Sequence, residues 1–352
     1  MSVPASSTSS TASATAASAW RDGARRVTRA PAVLLGVWLM TLSVSLPLAL
    51  VLRGMIVQHL GGSLEAASAA AGVNYDWMQE FAGQASGVGA TLKPTVIGFG
   101  AVLDNASAFA DHTPRPLVIA SAAGAYLALW TFVAGGIIDR YARDRPSRTH
   151  AFFAASGVHF FRFLRLGVVQ WLVYALIFGV AHPLLFDRLF ARLTHETTAE
   201  RSAFAVRLVL YLVLALLVAG CSLVFDYAKV RAVVEDRHSM LAALAAGFRF
   251  VRRNGAAAGL YLMNILVFAV CAALYALATL AAPGAAQAGL MMWIGFAIGQ
   301  LYIVARLWVK LVFWASETAL FQARLAHVGY VAAPQPVWPD SAAADAITPL
   351  GR

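Results

Sequence analysis

Charged residues and cysteines are both scarce in this chain of 352 residues. Only 12% of the residues are charged, against about a quarter in a typical soluble protein, and 60% are hydrophobic. So little charge cannot cover a water-facing surface of this size, which excludes a soluble enzyme, a disordered chain and a secreted disulfide scaffold. The two cysteines, Cys221 and Cys271, lie in apolar stretches without CxxC or Cys/His metal spacing. They are interpreted as small core residues.

Catalytic signatures are also missing from the sequence. It contains no HExxH, GxSxG or Walker loop, and no GxGxxG that opens a helix after a strand. The eight histidines are scattered and form no pair with an acid on one helical face. We therefore expect neither an enzyme nor a bound cofactor or metal.

Apolar residues form six runs that are long enough to cross a bilayer. A bilayer core of about 30 Å requires about 20 apolar residues in a helix. The runs are apolar on all faces, unlike the alternating strands of a membrane barrel. They cover residues 33–52, 117–138, 166–185, 206–225, 255–280 and 290–313. The sequence predicts an all-α integral membrane protein with six transmembrane helices and interfacial amphipathic helices.

The distribution of basic residues predicts the orientation. The net charge of +10 comes from basic residues that cluster at the ends of the apolar runs. One side of the membrane would carry 18 of them and the other side seven. By the positive-inside rule, both termini are cytoplasmic and the protein lies in a bacterial inner membrane. The partner expected for this basic side is a bilayer with anionic head groups, and not nucleic acid.

The remaining segments complete the predicted organisation. Residues 1–19 are mostly Ser, Thr and Ala with little to bury, which predicts a disordered cytoplasmic N-terminus. Residues 20–325 form the membrane domain, and residues 326–352 form a cytoplasmic tail. An outer loop over residues 53–116 should contain two short helices, near 76–81 and 96–109. Pro183 is expected to end the third span.

A repeated pattern connects the spans. The second span ends Ile138-Asp139-Arg140-Tyr141-Ala142-Arg143, and the fourth ends Phe225-Asp226-Tyr227-Ala228-Lys229. Each is followed by an amphipathic basic stretch, residues 150–165 and 234–253, that runs into the next span, and a similar stretch precedes the first span. The pattern suggests three units, each an interfacial helix followed by a helical hairpin. Shared topology signals at the membrane boundary would explain the similarity as well as duplication does.

Polar residues inside the spans are the candidate site. Arg306, Lys310 and Glu317 fall within about 40° of one another on a helix. An intramembrane cation usually faces the bundle interior and has a partner. Glu317, Asp139 and Asp226 are the candidate partners. Snorkelling of the two cations to the inner head groups is the structural alternative.

One string of residues resembles a known group of proteins. It runs from Phe225-Asp226-Tyr227-Ala228-Lys229-Val230-Arg231 through Val234-Glu235-Asp236 to the basic helix that ends Arg252-Arg253-Asn254. It is similar to strings in uncharacterised bacterial polytopic proteins grouped with the membrane domain found beside glycerophosphodiester phosphodiesterases. The resemblance covers about the central third of the chain and implies a polytopic fold. It implies no phosphodiesterase activity, because the soluble catalytic domain is not part of this sequence.

Two functions from different classes follow from the sequence. The first is a transport or permease-like component for an anionic solute or lipid, in which Arg306 and Lys310 line a cavity and Asp139 and Asp226 lie near its inner mouth. The second is a non-transporting assembly or lipid-organising protein that docks a cytoplasmic or membrane partner through its amphipathic helices. In that case Phe248, Phe250 and Val251 would be the docking residues.

Overall fold

The computed structural model describes residues 15–71, 74–93, 98–281 and 289–326, and these residues form helices joined by short connections. The helices are α1 (Ala16–Thr28), α2 (Pro31–Leu60), α3 (Ala66–Ala71), α4 (Tyr75–Gln84), α5 (Phe99–Ala110), α6 (Leu117–Arg143), α7 (Thr149–Leu176), α8 (Phe190–Thr194), α9 (Glu200–Val234), α10 (Met240–Arg253), α11 (Gly255–Ala281) and α12 (Leu290–Ala326).

Six of these helical stretches are long and apolar enough to cross a membrane, which confirms the predicted fold class. They are α2, α6, the stretch from α7 to α8, α9, α11 and α12. Even the shortest, Gly255–Leu280 with 26 residues, is about 39 Å long at 1.5 Å per residue and exceeds a hydrocarbon core of about 30 Å. The chain is therefore a multi-pass membrane protein.

Several boundaries differ from the sequence prediction. Residues 16–19, expected to be disordered, form the first turn of α1 because the Thr15 hydroxyl caps the Ser18 backbone N–H. α2 continues past Arg53 to Leu60, so the long connection begins later than residue 53. The expected disorder of residues 1–14 and the predicted tail over residues 327–352 lie outside the described residues.

Pro183 does not end the third span. The helix continues through it as two π-helical segments, Ile177–Ala181 and Leu184–Leu189, and then as α8. Proline has no backbone N–H and its ring displaces the carbonyl four residues earlier, so the local pattern widens to i→i+5 bonds. The prediction of a terminator was wrong because the flanking residues are apolar and continue to favour a helix.

The connection between α2 and α6 contains the two short helices predicted there, α4 and α5. α4 packs back on the end of α2, where the Trp77 indole N–H donates to His59 Nδ1 at 3.1 Å. Phe81 is buried against the same histidine ring. We call the end of the bundle that carries this connection the loop end.

Three leading segments, each in front of a hairpin of spans, define the opposite end, which we call the basic end. They are α1, residues 149–165 of α7, and α10. α1 packs on α12, the α7 segment on α6, and α10 on α9. The three hairpins pair α2 with α6, α7 with α9, and α11 with α12. Each leading segment therefore contacts the second span of a hairpin other than its own. The contact of α1 with α12 completes a closed ring of these contacts. Left-handed aspartates follow α6 and α9: Asp144 lies one residue past α6, and Asp236 lies two residues past α9.

Glycines allow the close approach at each crossing. A Cβ at Gly23 of α1 would lie 2.5 Å from backbone atoms of Ser316, and one at Gly247 of α10 would lie 3.1 Å from the Ala228 nitrogen. In the α6–α7 pair, a Cβ at Gly136 would lie 2.5 Å from the Ser156 hydroxyl. Small residues at such points permit tight helix packing in membranes. This geometry agrees with three repeated units.

The packed core lies at the basic end. α6 has no buried residue before Trp130, α11 has none after Asn264, and α12 has none before Tyr302. Beyond these points the described spans expose large apolar side chains that suit contact with lipid. Hydrogen bonds between helices reinforce the bundle: Trp38 donates to Gln300 at 3.2 Å, and Asn264 donates to Ser316 at 3.1 Å.

Candidate functional site

The structure places four of the five predicted site residues at the basic end. They are Asp139 on α6, Asp226 on α9, and Lys310 and Glu317 on α12. Arg306, one turn before Lys310, is exposed at the surface of the bundle. Asp139 accepts a hydrogen bond at 2.9 Å from Arg143 on its own helix. The candidate site therefore lacks Arg306.

Asp226 and Lys229 form an ion pair on one turn of α9. The Lys229 ammonium donates to Asp226 Oδ1 at 3.0 Å, and the Trp314 indole N–H points to the same oxygen at 3.4 Å. Both charged side chains are less than one-fifth exposed. Such a shielded pair retains more of its Coulomb attraction than a surface pair does. The Trp314 indole, which contacts the same carboxylate, joins α9 to α12.

Lys310 makes a cation–π contact with tryptophan. Its ammonium lies 3.6 Å from the centre of the Trp130 ring of α6, and Trp130 packs edge-on against Trp314 at 5.6 Å. The attraction of an aromatic face for a cation increases when water is excluded. The two tryptophans therefore hold the charge in place between α6 and α12.

Glu317 is completely buried and stands apart from these pairs. Within the described residues, neither of its carboxyl oxygens has a hydrogen-bond partner. Its neighbours on α12 are engaged elsewhere, because Ser316 donates to the Phe313 carbonyl and Thr318 to the Trp314 carbonyl. An unpartnered acid in a packed core is uncommon, because burial of an unpaired charge is costly.

An apolar groove runs beside the charged pair. It has a volume of about 500 Å³ and lies between α7, α9 and α10. Its walls include Cys221 and Phe225 of α9 and Leu241, Leu244 and Phe248 of α10. On α9, Cys221 and Phe225 lie on the same helical stripe as Lys229. The Lys229 ammonium itself is turned toward Asp226 and is not part of the groove wall.

The basic rim of this region is held by a second ion pair. The Arg162 guanidinium of α7 donates to Asp236 at 2.6 Å and thereby joins α7 to the connection between α9 and α10. This hydrogen bond lowers the pKa of the Asp236 carboxyl below its ordinary value. The pair fixes α7 relative to the helices that form the other walls of the groove.

A polar cluster at the loop end was not predicted from the sequence. Asp111 accepts hydrogen bonds from the Tyr211 hydroxyl and from Ser107, and the Arg207 guanidinium lies 3.8 Å away. The Tyr211 hydrogen bond, helped by Ser107 and Arg207, lowers the pKa of Asp111. Asp111 and Arg207 line a cavity of about 300 Å³ together with His182. The sequence feature that could have predicted this cluster is the dense set of polar and aromatic residues around Pro183.

Within the part of the chain that the structure describes, no three His, Cys, Asp or Glu side chains come together as a metal site. Comparison with known proteins gives no identification: no family model, curated protein or solved structure matches this chain. The site must therefore be interpreted from its own geometry.

Proposed function

We propose that the protein is a transport component that moves an anionic phospholipid along the groove between α7, α9 and α10. The observation that carries this proposal is the apolar stripe of α10, which ends in a cation. Leu241, Leu244 and Phe248 line the groove, and Arg252 follows Phe248 by one turn on the same face. Acyl chains fit the apolar walls, and a lipid phosphate fits the guanidinium.

The surrounding charge also favours an anionic lipid. Arg249 and Arg252 are exposed on α10 near Phe248. Phosphates at the membrane surface are attracted to such clusters of cations by about 1 kcal/mol per residue. The groove is lined almost entirely by apolar side chains, which suits a lipid better than a soluble anion.

This proposal gives Arg306 no role in binding the transported anion, in contrast to the prediction from the sequence. Arg306 is exposed on α12, and Lys310 lies against Trp130. We assign Lys310 the role of holding α12 against α6 through its contact with Trp130. The acids Asp139 and Asp226 each pair with a cation on their own helix.

Lipid translocation is the direct test. The full chain is placed in phosphatidylcholine vesicles with a trace of fluorescently labelled phosphatidylglycerol, and dithionite bleaches the label in the outer leaflet. Arg252→Gln removes the contact between the guanidinium and the lipid phosphate. It should slow translocation by about tenfold, as expected for the loss of one charge-assisted hydrogen bond. Arg253→Gln is the matched control, because Arg253 lies on another face of α10.

A second pair of variants tests the groove itself. Leu244→Trp fills the groove and should stop translocation, whereas Leu262→Trp adds the same ring at an exposed position of α11 and should not. Equal rates in vesicles with and without protein would refute a transport role. Equal rates for the two tryptophan variants would refute the groove as the path.

A non-transporting lipid-organising or assembly role is the second candidate. Its specific support is the exposed ring of Phe248, which is 54% accessible on α10. Phe250, by contrast, packs inward against Tyr227 and Phe321 and offers no docking surface. Native mass spectrometry that shows retained phosphatidylglycerol, with no translocation in vesicles, would favour this role.

A further inference from the structure

The second spans of the three hairpins each carry an acid near the crossing with a leading segment. The acids are Asp139 on α6, Asp226 on α9 and Glu317 on α12. Asp139 is paired with Arg143 four residues later, and Asp226 with Lys229 three residues later. The corresponding positions after Glu317 are Leu320 and Phe321, which cannot pair with it. Glu317 is thus the acid whose helix supplies no counter-ion.

The packing around Glu317 encloses it completely. α1 crosses α12 at Ser316, and a Cβ at Gly23 would lie 2.5 Å from the Ser316 backbone. α11 approaches from another side, where Asn264 donates to the Ser316 hydroxyl. The Glu317 side chain has no accessible surface. Its environment is therefore a tight joint between helices and not a wide channel.

The charged and titratable groups around Glu317 come from four helices. Asp226, Tyr227 and Lys229 of α9 are close enough to interact with it electrostatically, as is Tyr261 of α11. On α1, Asp22 is paired with Arg26 at 2.8 Å.

Arg26 in turn donates to Gln322 and to the Tyr141 carbonyl of α6. Arg26 and Lys229 therefore already have partners. The Tyr227 and Tyr141 hydroxyls are buried and have no partner within the described residues.

A proton is the ligand that fits this environment. An ionised carboxylate without donors is strongly disfavoured in a packed apolar core, and the neutral acid avoids that penalty. The nearby Asp226 carboxylate opposes a second negative charge. A bound Na⁺ or divalent ion would require several oxygen ligands. The described residues offer no cluster of three metal-binding side chains.

We infer that Glu317 is a proton-binding site within the membrane domain, which holds its proton as a neutral carboxylic acid and exchanges it with water at the basic end. Release breaks the carboxyl O–H bond, leaves the bonding electrons on the carboxylate and delivers one proton to water. The Tyr227 hydroxyl is the donor available to the carboxylate that forms. Any coupling of this proton to lipid movement rests on the proposed function, whereas the site itself does not.

Infrared difference spectroscopy of the full chain in liposomes tests the site. The wild type minus Glu317→Gln spectrum should contain the carbonyl band of a protonated carboxyl group at neutral pH. That band should shift in D₂O and be lost reversibly at alkaline pH. Asp139→Asn is the matched control and should leave the band in place. A carboxylate band at neutral pH, or a protonated band that D₂O never shifts, would overturn the inference.

A chemical measurement on the wild type keeps the inference testable if Glu317→Gln does not fold. Dicyclohexylcarbodiimide is an apolar reagent that takes up the proton of a carboxylic acid and bonds to its oxygen. Peptide mass spectrometry should find the adduct on Glu317, with labelling that decreases as pH rises. An unlabelled Glu317 at acidic pH would contradict the inference. The failure of lipid translocation alone would leave the proton site intact and refute only the coupling.

Discussion

Residues from three distant parts of the chain meet at Asp111. The donors come from α5 and α9, and His182 approaches from the π-helical stretch, where its ring nitrogen contacts the Ala110 carbonyl at 3.0 Å. Arg207 also lies over the rings of Phe190 and Tyr211. The loop end therefore has a fixed polar centre that joins the connection to two spans, although few apolar side chains are buried there.

Asp111→Asn should reveal this centre through a pH-dependent loss of stability. The pKa of Asp111 is lowered in the folded chain, so its contribution is present above the ordinary value of 3.8 and is lost as pH falls through the lower folded value. Because the side chain is about a third exposed, screening reduces the expected effect at neutral pH to about 1 kcal/mol. Thermal unfolding in detergent, at neutral pH and at about pH 3, measures it.

The control is Asp144→Asn, which changes an exposed aspartate in a left-handed turn that asparagine also adopts. It should leave the unfolding midpoint unchanged at both pH values. If Asp111→Asn is destabilised equally at both pH values, the carboxylate's charge is not the source of the stabilisation.

The site residues show how far sequence alone reaches at this scale. Helical periodicity grouped Arg306, Lys310 and Glu317 on one face of a span, whereas the structure leaves Arg306 exposed and covers Glu317 completely. Which part of that face is covered depends on where α1 and α6 cross α12, and these contacts join residues almost 300 apart in the chain. The i+3 and i+4 partners of Asp139 and Asp226 were visible in the sequence and needed no tertiary information.

At the scale of elements, the crossing of α1 over α12 is tightly constrained by backbone contact. Gly23→Ala should displace α1, since its Cβ would lie 2.5 Å from backbone atoms that cannot move independently. Overpacking of this kind costs about 1–3 kcal/mol. Thermal unfolding in detergent should show a lower midpoint.

Gly36→Ala is the control, because no atom lies within 4 Å of its added Cβ. That change should be neutral or stabilising, as alanine favours a helix by up to about 1 kcal/mol. Equal midpoints for the two variants would contradict the crossing.

The elements themselves were largely predictable. All six spans and two of the three short helices of the long connection, α4 and α5, follow from apolar runs and helical spacing, whereas α3 was not predicted. The continuation through Pro183 was not predicted, because a proline usually stops a helix and a π-helical bypass has no separate sequence signature. The first turn of α1 was missed because residues 16–19 carry little apolar surface of their own, and their burial depends on α12 and α11.

At the scale of the whole molecule, the cyclic contact of the leading segments determines where the termini lie. α1 packs against the last part of α12, so the two ends of the described chain are on the same side of the bundle. The cations of the leading segments lie on that side as well, and the positive-inside rule predicts that this side faces the cytoplasm. We therefore expect reporter fusions at both termini to be active only in the cytoplasm.

A cysteine at position 64 tests the opposite side. Leu64 is 99% exposed in the connection at the loop end, so Leu64→Cys should not disturb packing. A membrane-impermeant thiol reagent applied to intact spheroplasts should label this cysteine and should fail to label the cysteine of Arg21→Cys in α1. Labelling of both would mean that the chain does not span the membrane as α1 and α12 require. Labelling of Arg21→Cys alone would reverse the orientation, and the proton exchanged by Glu317 would then come from the outside.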